Sequence, residues 1–289
     1  MTIKGIKFCV ISFIISQALT SGKGALAGEL TLVRNATMRL SYGGKILLLD
    51  PMLSEKGAMP PFAGKARNPT VGLPMTEQNI LRDIDAVVVS HRHPDHYDAV
   101  AAKSLNKSIP LFCQPWEEGE FRRDGFSDVK PIEDTVVVDG ITISRIEGAH
   151  GPSASVEELI KKSGSKEGWR TSSFLFSAKG EPKIFWSGDT IFTKNIEDAI
   201  KRHRPEILIV HIGGAQLPGM PPIIMGHSDL KRISQAAPEA KIVALHLDAL
   251  DHCSTSREMV KREGQRLNLD STRLVVPKDG ETINLLRMP

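Results

Sequence analysis

Three imidazoles and a carboxylate fall within six residues at His91-Arg92-His93-Pro94-Asp95-His96, directly after the apolar run Ala86–Val89. Imidazole nitrogens and carboxylate oxygens are ligands for zinc, and also for manganese, iron or nickel. His91 and His93 alternate, so both project to one side from an extended strand end. The chain then turns, and Asp95 and His96 are placed to face a second ion. A solvent-exposed turn has no structural reason to concentrate these groups. The chemistry they suit is metal-assisted activation of water or of a polarised substrate oxygen.

Positioning such groups needs buried strands that end together. Short apolar runs rich in β-branched residues alternate with helical patterns along the whole chain. Strands are expected at Thr37–Tyr42, Lys45–Asp50, Ala86–Ser90, Lys183–Ser187, Ile207–Ile212 and Lys241–His246, among others. Tyr42-Gly43-Gly44-Lys45 and Val138-Asp139-Gly140-Ile141 read as hairpin turns. Helices are expected at Tyr97–Ser104, Lys194–His203, Ser228–Gln235 and Ser256–Gly264, with Thr193, Ser228 and Ser256 as N-caps. Two stretches break the rhythm. Residues 52–79 are rich in Gly, Pro and Met, and residues 148–172 are polar. Both read as mobile lids or binding loops within one domain.

The His-x-His-x-Asp-His run after a Val-rich strand resembles the metallo-β-lactamase superfamily. The resemblance implies a four-layer αββα fold, a β-sandwich flanked by helices. It also implies further ligands at strand ends, matched here by His150, by Asp189 in Trp186-Ser187-Gly188-Asp189-Thr190, and by His246 after Ile242–Leu245. By this resemblance His91, His93 and His150 bind one ion, Asp95, His96 and His246 bind another, and Asp189 bridges them. The cofactor expected is a pair of divalent ions, zinc first, with Mn, Fe or Ni as alternatives. Ile46-Leu47-Leu48-Leu49-Asp50-Pro51, Arg67-Asn68-Pro69, Ile212-Gly213-Gly214 and Met225-Gly226-His227 resemble the branch of ascorbate-6-phosphate lactonase-like and N-acyl-phosphatidylethanolamine phospholipase D-like proteins. His211 departs from that branch, where many relatives carry Pro.

The resemblance implies a hydrolase in which hydroxide held between two ions attacks an ester, lactone, amide or phosphodiester. Asp95, Asp189 and His227 are the candidate catalytic residues, and His211 and Asp248 are candidates for orienting the ligands. Tyr42, Trp169 and the apolar insert residues could meet a small-molecule or lipid-like substrate. True metallo-β-lactamases lack the bridging Asp, which disfavours β-lactams. Two other readings stand beside the hydrolase: a non-catalytic metal-dependent binding protein, and a mononuclear-iron oxidation enzyme of the same fold.

Charge narrows the partners. The 289 residues carry 37 Lys+Arg against 34 Asp+Glu, but Lys4, Lys7 and Lys23 precede the first acidic residue, Glu29. Without them the count is 34 against 34 (37 − 3), which removes the case for a nucleic-acid partner. Residues 1–27 read as a cleaved secretory signal: Lys4 and Lys7, an apolar run Phe8–Leu19, then Ala25-Leu26-Ala27. Residues 28–289 would then form an exported, periplasmic or secreted hydrolase domain without a stable membrane anchor. Cys113 and Cys253 would meet an oxidising compartment, where they pair only if their Cα atoms come within reach.

Overall fold

A computed structural model describes residues 28–165 and 167–286. The expected leader, residues 1–27, lies outside the described residues. Two seven-stranded mixed sheets face each other. The first runs, in spatial order, Thr282–Asn284, Glu29–Arg34, Thr37–Tyr42, Lys45–Leu49, Ala86–Val88, Leu111–Cys113 and Val129–Pro131. The second runs Leu274–Val275, Lys241–Leu245, Ile207–His211, Ile184–Trp186, Ser172–Ala178, Ile141–Glu147 and Thr135–Val138.

Leu40, Tyr42, Leu47, Leu49, Phe174, Phe176, Trp186, Ile209 and Val243 fill the space between the sheets. Their alternates point outward: Leu48, Val87 and Leu111 meet Tyr97, Ala101 and Phe121 on one side. Leu208, Val210 and Ile242 meet Ile196, Ile200, Ile233 and Val260 on the other. Strands buried on both faces need apolar residues at every position, and helices must cover them. The four-layer αββα arrangement follows from that requirement.

Both hairpin turns form as expected, with positive φ at Gly43, Gly44, Asp139 and Gly140. Thr193 and Ser256 cap their helices through side-chain oxygens. Ser228 does not. It lies inside the tight turn His227–Asp229, and the helix begins at Leu230. Tyr42 is core: it is fully buried, its ring packs edge-on against Phe176, and its hydroxyl donates to Pro182 O at 2.8 Å. It therefore has no route to a substrate. Cys113 and Cys253 are both free thiols.

The two irregular stretches are more ordered than their composition implied. Residues 148–172 contain an eleven-residue helix, Ser153–Ser163, ended by Gly164 in the left-handed region. The insert is pinned rather than loose. The buried Arg34 guanidinium donates to Val71 O, Met52 O and Ser54 O at 2.9–3.1 Å. Asp98 accepts from Ser54 N and Ser54 Oγ while capping the helix Ala99–Ser104. The farther end is held by one carboxylate. Asp251 accepts from the backbone N–H groups of Phe62, Ala63, Lys65 and Ala66 and from Asn68 Nδ2. Burial opposes its charge, but these donors lower Asp251 to about 2.

Glu117 fastens the histidine-rich loop from below, with Oε1 accepting from Arg92 N at 2.8 Å and Oε2 buried without a hydrogen-bond partner among the described residues. Burial raises its carboxyl to about 8, with the Arg92 N–H opposing. From the ordinary Glu range up to that value the folded chain keeps a proton that the unfolded chain has released, so stability falls as pH rises through this window. Glu117→Gln cannot ionise. It is expected to melt several degrees above the wild type near pH 8 and level with it near the ordinary Glu pKa, as measured by thermal unfolding.

Candidate metal centre

The central strands of both sheets run parallel: Lys45–Leu49, Ala86–Val88 and Leu111–Cys113 in one, Ile184–Trp186, Ile207–His211 and Lys241–Leu245 in the other. Their carboxyl ends therefore collect on one edge, the place where parallel α/β sheets present ligands. Asp50, His91, Asp189, His211 and His246 all sit at or just past these ends. His150 follows Ile141–Glu147 onto the same edge. All six are buried.

Two contiguous groups result. In the first, His93 Nδ1 lies 3.0 Å from both His91 Nε2 and His150 Nε2. In the second, His96 Nε2 lies 3.1 Å from Asp189 Oδ2 and 3.3 Å from His246 Nε2. Asp95 Oδ2 stands 3.5 Å from His246 Nε2 and 3.7 Å from His96 Nε2. The His91 and His96 ring centroids are 4.2 Å apart and join the two groups.

The opposite nitrogen of each ring decides what the converging nitrogens are. His93 Nε2–H donates to Gly168 O at 2.7 Å and His150 Nδ1–H to Ile223 O at 3.1 Å. His96 Nδ1–H donates to Asp50 Oδ2 at 2.6 Å. Ser90 Oγ gives its proton to Asp50 Oδ2, so it accepts from His91 Nδ1 at 3.1 Å. Cys253 Sγ lies 3.4 Å from His246 Nδ1 and gives its own proton to His246 O. Each outer nitrogen carries a proton, so each inner nitrogen is the one left to face a cation: as a free lone pair in the first group, and in the second once a cation displaces the proton that the carboxylates favour. In the first group the His93 lone pair, 3.0 Å from each of the other two, repels both unless a cation lies between them. The donor set fits metal ions, with His91, His93 and His150 in one group and Asp95, His96, Asp189 and His246 in the other.

His211 is the exception. Trp186 Nε1–H donates to His211 Nε2 at 2.9 Å, which forces the proton onto Nδ1, and that N–H donates to Asp189 Oδ1 at 2.7 Å. Both nitrogens are used, so His211 orients Asp189 and keeps no lone pair for an ion. It leaves Asp189 a single oxygen, Oδ2, facing His96 and His246.

Charge separates the groups further. Burial, with His93 nearby, lowers His150 to about 3, and it likewise keeps His91 neutral. In the second group, burial is overcome by Asp189, Asp50 and Asp95, which push His96 up to about 10. One group is a neutral nitrogen cradle; the other is a carboxylate-rich pocket that attracts positive charge.

The backbone at the edge is constrained. His246 has φ +64° and Asp50 φ +43°, uncommon for residues with a side chain. Asn35 spans the sheets here, accepting from His246 N and donating Nδ2–H to Asp95 O. A Cβ at Gly213 would stand 2.1 Å from His246 O, so glycine is required for that approach.

Two candidates from the sequence lie elsewhere. Asp248 accepts from Arg257 N and Arg257 Nη1 on the exposed side, and Cys253 takes the place expected for it behind His246. A positive φ at both His246 and Asp248 turns the chain so that their side chains diverge. His227 Nδ1 lies 3.3 Å from Thr255 Oγ1, and His227 is absent from both the converging groups and the cavity above them. The tight turn that displaces the helix start carries it outward. Asp50, Trp186, Asp251 and Cys253 were not singled out as site-building residues. Asp50 had the clearest signal: a carboxylate closing an unbroken apolar run.

Above the two donor groups, whose His93, Asp95, His150 and Asp189 form its floor, opens a cavity of about 420 Å³ walled by Pro61, Phe62, Pro94, Trp169, Leu217, Ile223 and His252. Trp169 packs on His93 and His150, with ring centroids at 5.1 and 5.8 Å. Among the described residues lining it there is no Lys or Arg. A somewhat larger groove, about 520 Å³, lies at Ile200–Glu206 and Ala236–Ala240, lined by none of the residues of the metal groups.

Comparison with known proteins accords with this geometry. Residues 45–247 match the β-lactamase superfamily domain. The UPF0173 protein YddR of Bacillus subtilis is 37% identical over 259 residues, spanning 88% of this chain and 98% of that protein. The crystal structure of a possible metal-dependent hydrolase from Veillonella parvula superposes with a TM-score of 0.84 at 35% identity, over 90% of this chain and all of that one. An isothiocyanate hydrolase from Delia radicum gut bacteria gives 0.82 at 32% identity, over 88% and 98%. The chain belongs to the metallo-β-lactamase superfamily and, within it, to the UPF0173 metal-dependent hydrolases.

If His211 acts by fixing Asp189, His211→Asn should hold the second metal group within a few-fold of wild type, because its amide N–H sits near the Nδ1 position. His211→Leu should weaken that group roughly 10- to 100-fold. Competitive titration against a metal chelator measures both.

Proposed function

We propose that this protein is a di-metal hydrolase, with zinc in both groups, acting on small uncharged molecules that carry an apolar tail and an electrophilic carbon. The observation that carries the reading is the pairing of fixed imidazole lone pairs with an apolar cavity. Two such ions lower the pKa of bound water and polarise a substrate oxygen or sulfur. A predominance of imidazole favours zinc over manganese, although iron and nickel accept the same donors.

The chain's own residues do the rest. Phe62, Trp169, Leu217 and Ile223 exclude water from an apolar tail. Asp50, Cys253 and the Gly168 and Ile223 carbonyls keep the imidazoles in one tautomer. Among the described residues the lining offers no ammonium or guanidinium for a phosphate, which favours carboxylic esters, lactones and amides over phosphodiesters and phosphorylated lactones. The isothiocyanate hydrolase relative adds heterocumulenes to that class, since an isothiocyanate is a small uncharged carbon electrophile with an organic tail.

The test combines metal analysis with turnover. Zinc-reconstituted protein should carry two ions per chain and hydrolyse benzyl isothiocyanate or p-nitrophenyl butyrate faster than bis(p-nitrophenyl) phosphate. Asp189→Ala should reduce kcat at least about 100-fold, since it removes a carboxylate of the second donor group and even an outer-shell partner of a metal ligand is worth about 10- to 100-fold. Full metal loading with no turnover on any of the three would instead favour a metal-dependent binding protein. We further propose export, from the basic and apolar character of residues 1–27. Amino-terminal sequencing of chain expressed with its own leader should then start at Gly28, and a start at Met1 would refute it.

A further inference from the structure

We propose that His252 is the residue that hydrogen-bonds the substrate beside the reacting carbon, holding a heteroatom of an uncharged ester or heterocumulene over the metal groups. This rests on the hydrolase reading above and adds the contact that orients its substrate. Six histidines at this edge have an outer nitrogen committed: His91 to Ser90, His93 to Gly168, His96 to Asp50, His150 to Ile223, His211 to Trp186 and His246 to Cys253. His252 differs. It is 6% exposed and lines the cavity, and its Nδ1 is buried with no partner among the described residues. Its Nε2 stands 3.8 Å from Asp95 Oδ2, beyond hydrogen-bond length but beside the second metal group. Nε2, without a hydrogen bond among the described residues and beside the cavity's Asp95, is therefore the nitrogen left for a ligand, and a nearly buried imidazole gains by acquiring that partner.

The placement is built rather than incidental. His252 O accepts from Gln216 N at 2.9 Å, which ties its backbone to the loop after Ile207–His211. Phe62 packs edge-on against its ring, with centroids 5.2 Å apart and planes at 84°. Phe62 is itself held by its N–H donating to Asp251 Oδ1 at 2.9 Å. Three successive residues thus share the site. Asp251 fixes the insert, His252 faces the cavity, and Cys253 supports the ligand His246. The insert's apolar wall and the polar contact are held in one frame, so the tail and the reacting group of a substrate are read together.

Three full-length proteins test this, each loaded with zinc for turnover and with cobalt for binding: wild type, His252→Phe and His252→Gln. Phe keeps the ring against Phe62 and removes the hydrogen bond; Gln keeps a donor and an acceptor. The readouts are metal content, KM and kcat for benzyl isothiocyanate, and the Kd for benzohydroxamate from the visible spectrum of the cobalt form. The expected result is unchanged metal content in all three. Phe should lower kcat/KM and weaken benzohydroxamate roughly tenfold, as loss of one buried hydrogen bond would, and Gln should restore most of both. Unchanged kcat/KM and Kd in His252→Phe would overturn the inference. So would metal loss in both variants, which would make His252 a ligand. If wild type turns over no benzyl isothiocyanate, the isothiocyanate reading fails, and the benzohydroxamate Kd alone decides the role of His252.

Discussion

One nitrogen must be kept facing inward, free for a cation, on each of five imidazoles, four of them buried, and much of the architecture at this edge serves that constraint. A histidine ring has two nitrogens and one proton, and burial removes the water that would otherwise let the proton choose. Asp50, Ser90, Gly168, Ile223 and Cys253 each take a proton on the outer side of a ring. These acceptors come from five separate places in the chain. Only a sandwich that gathers the carboxyl ends of two sets of parallel strands on one edge brings them within reach of one another.

The same constraint explains which parts of the centre the sequence disclosed. His91, His93, Asp95 and His96 lie within six residues, and a local cluster of donors is visible without knowing the fold. His150, Asp189 and His246 became visible through strand ends and family resemblance. Their supports were hidden, because a support is defined by what it touches. Asp248 lies two residues beyond His246 and Cys253 seven, and the nearer carboxylate is the more usual partner. The left-handed turn at His246 and Asp248 decides between them by sending Asp248 out to Arg257. Backbone handedness at a residue with a side chain is not written in its identity. Composition misled in the same way over residues 52–79. Gly and Pro suggested mobility, yet Arg34, Asp98 and Asp251 supply buried acceptors and donors from outside the segment that hold it.

The fold itself was more legible than the site's periphery because it rests on repetition. Continuous apolar runs identified strands covered on both faces, and the hairpin glycines identified turns. The strands that went unrecognised, Val129–Pro131 and Thr282–Asn284, are short edge strands. One open side makes them mixed in polarity, so alternation gives no clear signal. The helix Ser153–Ser163 was obscured for a related reason. It buries only Leu159 fully, and a helix with so narrow an apolar contact resembles a polar loop.

Asymmetry between the two metal groups is the last consequence of how the strands end. The first group is assembled from three neutral rings whose outer protons rest mainly on backbone carbonyls and a hydroxyl. The second has Asp189 and Asp95 among its donors and Asp50 behind it, so it draws positive charge that the first does not. Asp189 belongs to this second set through Oδ2, while Oδ1 is withheld by His211, whose own tautomer is dictated by Trp186 in the inter-sheet core. Trp186 packs on Phe174 and Phe176 in that core. The orientation of a carboxylate at the chemical centre is therefore set by an aromatic cluster between the sheets. A side chain chosen to fill the core and one chosen to hold an ion are joined here by two hydrogen bonds, and neither can be replaced without disturbing the other.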